Sequence, residues 1–263
     1  MDDEFFWTHE SRDKIEEWLQ HTRPSIVTDD QTPWIWVRGT LPLREDPERN
    51  TAHPEALVKA HAILDKLSSR LETNQSDDAI PVRGKKGVKS KKQVREEAHE
   101  EAKTQLEELS KQSEWTVGKW LFFPRHDRVD GMWATIAQSV ANGPLKAAGV
   151  DLVKVAPSPR YVREGEEPSH VICVYMDNVY DKAAVTKVLT TLLRDHGLEP
   201  TACKSDLYTL AGIDSKHPSG LRSSIWRPAE LVDTNVIRVG SMVGLLLLMT
   251  EITGRILDEE EGR

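Results

Sequence analysis

The sequence predicts an α+β fold, a sheet with helices packed on one of its faces. Three observations carry this. Short apolar strands alternate irregularly with amphipathic helices, the connections between them are short, and no internal repeat is visible. At 263 residues the chain is long enough to bury a full core as a single domain.

The elements follow in order. Residues 4–22 read as a short helix with Phe5, Phe6, Trp7, Ile15, Trp18 and Leu19 as its apolar positions. A strand is expected over 32–38, closed by Gly39 and the Pro42/Pro47 loop. Pro54 to Leu71 carries a helical stripe of Leu57, Ala60, Ile63, Leu64, Leu67 and Leu71, and Pro54 suits a first helical turn. Composition then shifts. Residues 73–113 read as a charged, partly disordered insertion: a mobile loop, then a mostly solvated helix with a thin stripe of Val94, Leu106 and Leu109. Strands are expected at 115–124, 150–156 and 170–176, and helices at 130–142 and 181–196, the latter capped by Gly197. Strands at 202–210 and 221–226 and a last helix at 235–258 complete the domain.

Bulk properties exclude several classes. The chain has 35 basic and 43 acidic residues, a net charge of −8, which opposes a general nucleic-acid-coating role. Only Cys173 and Cys203 are present, so a disulfide framework is not implied and a reducing compartment fits. The acidic Met1-Asp2-Asp3-Glu4 start lacks the cations of a targeting peptide, and the apolar run from Val243 to Met249 is too short to span a membrane. A cytoplasmic protein is expected, with the six cations of Arg83–Lys92 as a candidate nuclear address or RNA attractor. The nine histidines show no HExxH or Cys/His spacing, so neither a metal site nor a cofactor is expected. The apolar positions of the 235–258 helix cover more than one face, which fits either a core helix in a monomer or a weak homodimer contact.

The densest motif is Trp115-Thr116-Val117-Gly118-Lys119-Trp120-Leu121-Phe122-Phe123-Pro124. Its tryptophans are five positions apart, so on a strand they point to opposite faces. Trp120, with Trp133 of the following helix, belongs to a core; Trp115 is a candidate open plate for stacking.

Two strand–helix units carry a resemblance. Gly118-Lys119-Trp120-Leu121 followed by Trp133 resembles the "GRWL … W" unit of cap-binding translation initiation factor 4E. Val171–Tyr175 followed by Asp181–Val185 resembles its "IAIW … NREAV" unit, and Gly197-Leu198-Glu199-Pro200 its "GLPP" turn. Order and spacing hold over residues 118–208. A closer likeness is to the basophilic-leukaemia-expressed protein family, through Thr22-Arg23-Pro24-Ser25, Glu114–Trp120 and Val129-Asp130-Gly131-Met132-Trp133. The resemblance implies a 4E-like curved antiparallel sheet backed by helices.

It also implies a pocket. Factor 4E holds a methylated guanine between tryptophan rings, with a carboxylate on the base edge and cations on the phosphates. Carried over, Lys119 matches the arginine of "GRWL", Tyr175 stands where a tryptophan touches the base's methyl group, and Arg160 and Arg163 fall in the phosphate-binding loop. Trp115, with Trp34 and Trp36 of one strand face, would stack, and Glu114 would be the base-edge acceptor. Two departures matter: residues 40–53 contain no aromatic for the first stacking position, and Glu114 precedes Trp115 rather than following it.

The functional expectation is a non-enzymatic module that binds a nucleotide or an RNA 5′ end. The alternative is a protein-interaction scaffold that has lost its ligand. A more distant one is a nucleotide hydrolase using His126 in Arg125-His126-Asp127-Arg128-Val129-Asp130, where the simpler expectation is a charged turn at a helix start. Each site residue has a plainer role too: Tyr175 as a core tyrosine, Arg160 and Arg163 as solvated charges offset by Glu164, Glu166 and Glu167.

Overall fold

The computed structural model describes residues 4–39, 53–84, 87–163 and 165–233. The expected helix at 235–258, with its homodimer contact, and most of the aromatic-free 40–53 loop lie outside the described residues. The chain divides into two compact units, one built from its N-terminal segment, 119–203 and 226 onward, the other from 45–118 and 204–225.

The strands are β1 (Phe6–Trp7), β2 (Ile35–Arg38), β3 (Gly118–Phe122), β4 (Leu152–Val155), β5 (Ile172–Met176) and β6 (Ala202–Ser205), in the order β1-β2-β4-β5-β3-β6. The architecture is the expected α+β, with a curved, unclosed sheet. The pairs β2–β4 and β4–β5 are antiparallel, but β1 joins β2 in parallel, so the sheet is mixed.

In the first unit, helices α1 (Ile15–His21), α4 (His126–Asn142), α5 (Pro144–Ala148) and α6 (Lys182–His196) accompany the sheet. Ile35, Val37, Val153 and Val155 are fully buried on one face, where α4 packs on β2 and β4. Trp120 and Trp133 are core residues, as expected. The Asp181 carboxylate accepts from the Ala183 and Ala184 N–H groups to start α6, and Gly197, at φ 63°, ends it.

Three expectations are corrected here. Residues 4–22 are not one helix. Phe6–Trp7 is a strand, and Thr8 and Ser11 close a turn on each other before α1 begins at Ile15. An aromatic run favours the pleated sheet, and the hydroxyl turn breaks helical continuity. Likewise 202–210 is a strand only to Ser205, whose hydroxyl accepts from Leu207 N–H and caps α7 (Asp206–Leu210). Residues 221–226 contribute only the bridge of Trp226 to Cys203.

The second unit is built on α2 (Pro54–Ser76) and α3 (Lys91–Gln112), with α7 against α2. The expected solvated helix at the end of the 73–113 segment buries a whole stripe: Ala98, Ala102, Leu106 and Leu109, facing Ala60, Leu64 and Leu67 of α2. The two alanines let the helix axes approach closely. A capping box of Ser90 and Gln93 starts α3.

Candidate functional site

The face of the sheet opposite α4 gathers rings and cations. Register sets it: Phe6 pairs with Trp36, Trp36 with Lys154, and Lys154 with Cys173. One row of side chains therefore crosses β1, β2, β4 and β5. Trp36 lies stacked 6.3 Å from Tyr175 at 19°, and Phe6 meets its edge at 6.5 Å. The Lys154 ammonium sits 3.9 Å from the Trp34 ring centre, 4.6 Å from Trp36 and 5.7 Å from Tyr175. Lys119 approaches Tyr175 from β3 at 5.5 Å, and Arg38 lies 5.7 Å from Phe6. A cation over an indole face is attracted by the ring quadrupole, and partial burial strengthens the attraction.

Four sequence-singled residues are thus brought together: Trp34, Trp36, Tyr175 and Lys119. Tyr175 is 3 % exposed and Lys119 7 %, while Trp34, Trp36 and Lys154 are half-buried. The rings therefore offer an accessible edge at β2 and β4, not an open plate at β5. Lys154, Arg38 and Phe6 were missed. The signal for Lys154 was present as one cation inside the apolar alternation Leu152-Val153-Lys154-Val155.

The remaining candidates stand elsewhere. Beyond the end of β2 that holds Trp34, where Ile35 pairs with Val155, the 157–171 loop begins. In that loop the Arg160 guanidinium donates to Asp30 at 2.9 Å, and its N–H to Asp29. Arg163 is exposed, 3.9 Å from Glu166. Arg163 thus lies beside one of the glutamates expected to offset it, whereas the partner of Arg160 is Asp30, outside that set.

Glu114 and Trp115 belong to the second unit, and here the open stacking plate is corrected. Trp115 is 1 % exposed and its ring stacks on His53 at 5.1 Å and 21°. The reason is helix termination. Glu114 takes a left-handed φ of 56°. Its N–H reaches the Lys111 carbonyl, and Trp115 N–H that of Ser110. This is a Schellman reversal with glutamate where glycine is usual, and it turns Trp115 inward. The Glu114 side chain itself is exposed.

His126 begins α4, as the charged-turn reading expects, and its Nδ1 lies 3.0 Å from His170 Nε2. His170 Nδ1 donates to the Ala156 carbonyl, so Nε2 is the acceptor and His126 supplies the proton of this pair. Burial pushes the His170 imidazole below its ordinary range; the Ala156 carbonyl opposes this, His126 adds to it and Asp130 opposes it. Asp130 accepts from the Ser25 N–H and hydroxyl, tying Thr22-Arg23-Pro24-Ser25 to α4. Two segments that carry the family likeness are therefore joined by one carboxylate.

Among the described residues no helix is long and apolar enough to cross a membrane, and no group of three His, Cys, Asp or Glu side chains is placed to hold a metal ion. A family model described as basophilic leukemia-expressed protein Bles03 matches residues 6–210, well over half of the chain. No curated protein matches it.

Proposed function

The chain belongs to the basophilic leukemia-expressed protein Bles03 family, and on that premise we propose that it is a non-enzymatic binding module whose ring-and-cation face takes a nucleotide or an RNA 5′ end. The observation that supports this reading is Lys154, with its ammonium over both Trp34 and Trp36. A base stacks on the accessible side of Trp34 while Lys154 turns toward its phosphates, with Lys119 completing the positive field. One base–aromatic stack contributes about 1–3 kcal/mol, and a few charge-assisted phosphate contacts add a similar amount. Such a site binds weakly, with a Kd of roughly tens of micromolar to tens of millimolar.

The second reading, a protein-interaction scaffold, is favoured by the near-complete cover over Tyr175 and Lys119. Titration with 7-methylguanosine triphosphate, GTP and ATP, read by calorimetry and tryptophan fluorescence, separates the two. Eight tryptophans give a high background, so the informative result is saturable quenching that disappears in Trp34→Ala. A flat response to all three nucleotides favours the scaffold.

A further inference from the structure

A cleft of about 580 Å³ opens in the second unit between the last turns of α2, the loop after it and the first turns of α3. Leu71, Gln75, Val82, Lys91, Lys92 and Arg95 line it. Its size falls within the usual range of ligand clefts, about 300–1,000 Å³. Its chemistry has two parts. Leu71 and Val82 supply apolar surface, and Val82 is 80 % exposed, an unusual state for a valine. Three cations supply charge, against Glu72 as the one lining carboxylate.

These cations differ in commitment. Lys91 donates to the Gln75 carbonyl at 2.6 Å, closing the end of α2. Lys92 lies 3.7 Å from Glu96. Arg95 has no partner among the described residues, and neither has Arg83, next in sequence to Val82. In sequence, residues 83–92 carry six cations and no anion in a chain of net charge −8. Among the lining residues three cations stand against one carboxylate, beside the open apolar surface of Leu71 and Val82.

We propose that this cleft docks a short acidic, apolar peptide segment of a partner protein, its carboxylates on Lys92 and Arg95 and an aliphatic side chain on Leu71 and Val82. Charge complementarity argues for the acidic character, and the open apolar surface for a peptide. No aromatic residue lines the cleft, so it lacks the stacking platform that single-stranded RNA uses. The inference stands independently of the nucleotide reading, which concerns residues of the first unit.

Fluorescence anisotropy tests it, with a panel of short labelled peptides carrying Leu and Asp/Glu at helical spacing. A Lys-for-acid counterpart and a labelled oligouridine serve as competitors in kind. The acidic peptides should bind, with affinity falling as salt rises. Lys92→Glu combined with Arg95→Glu should weaken binding by about tenfold or more, and Val82→Asp by several fold, with the circular dichroism spectrum unchanged. These are exposed positions, so folding should survive. Absence of binding across the panel, tighter binding of the RNA, or peptide binding indifferent to Val82→Asp would each overturn the proposal.

Discussion

On the sheet, Lys154 holds its ammonium 3.9 Å from one tryptophan ring and 4.6 Å from another. On the α2–α3 hairpin, Arg70 meets Glu101, Lys89 meets Glu97 and Lys111 meets Glu107, every partner at least a third exposed. Both regions are rich in cations, yet they use them differently. Exposed ion pairs contribute little, because water screens them and long side chains lose entropy in forming them. The hairpin therefore holds mainly through its buried Ala–Leu stripe. An ammonium on half-buried rings is less screened, so removing either ring or cation is felt locally.

The largest expected effect breaks the ring side of this contrast. Trp36→Ala removes the ring that touches Phe6, Lys154 and Tyr175 at once. It should destabilise the protein by about 3 kcal/mol or more, read as a shift in the urea midpoint. By contrast, Arg70→Ala should leave that midpoint nearly unchanged. Equal shifts in the two variants would mean that the hairpin ion pairs are not the weak partners argued here.

A smaller effect asks what Lys154 is for. Lys154→Met keeps the aliphatic stem on the rings and exchanges a cation–π contact, about 0.5–2 kcal/mol, for a sulfur–aromatic one of about 0.3–1.5 kcal/mol. The two nearly cancel, so stability should change by at most about 1 kcal/mol. Nucleotide binding, if the proposed face is the site, should fall by about tenfold. A large loss of stability with unchanged binding would make Lys154 a structural residue.

The same contrast explains what the sequence could disclose. Long-range order was legible where periodicity is strong: α2, α6 with its Asp181 and Gly197 caps, and the apolar strands β3, β4 and β5. It failed where small residues carry packing. Ala98 and Ala102 look neutral in a Glu/Lys-rich helix, so the stripe on α3 was read as three thin positions. It failed again at Trp115, because nothing in a Glu-Trp pair announces that Glu114 will adopt a left-handed φ. Trp34, Trp36, Tyr175 and Lys119 were named from resemblance and strand alternation. That Trp36 and Tyr175 share a face with Lys154 required the β2–β4–β5 register, which no local pattern specifies.

Glu114 gives the next prediction, now on the hairpin side. A non-glycine residue in the left-handed region costs about 1 kcal/mol, sometimes more, whereas glycine takes it freely but loses more chain entropy on folding. Glu114→Gly should raise stability by several tenths of a kcal/mol up to about 1 kcal/mol, visible in thermal unfolding. A decrease would show that the exposed carboxylate has a role beyond ending α3.

The smallest effects are pH-dependent and fall in two windows, one for each region. In the first unit burial is the main cause that lowers the His170 and His196 imidazoles below their ordinary 6.5. The folded state then binds fewer protons than the unfolded chain. Stability from these groups is complete above about pH 6.5 and is lost as pH falls through that value toward their folded pKa. His196 Nε2 lies 2.8 Å from the Ser139 Oγ, which also accepts from the Leu145 N–H, so His196→Gln keeps a polar partner there and should flatten this window. On the hairpin a hydrogen bond and the charge of Arg70 lower the Glu101 carboxyl below its ordinary 4.5. Its contribution is present above that value and lost only below it, so Glu101→Gln should leave the upper window intact. Unfolding midpoints followed from pH 7 to pH 4 for both variants decide whether the two windows are separable. If Glu101→Gln also flattened the slope near pH 6.5, the assignment of that window to the two histidines would fail.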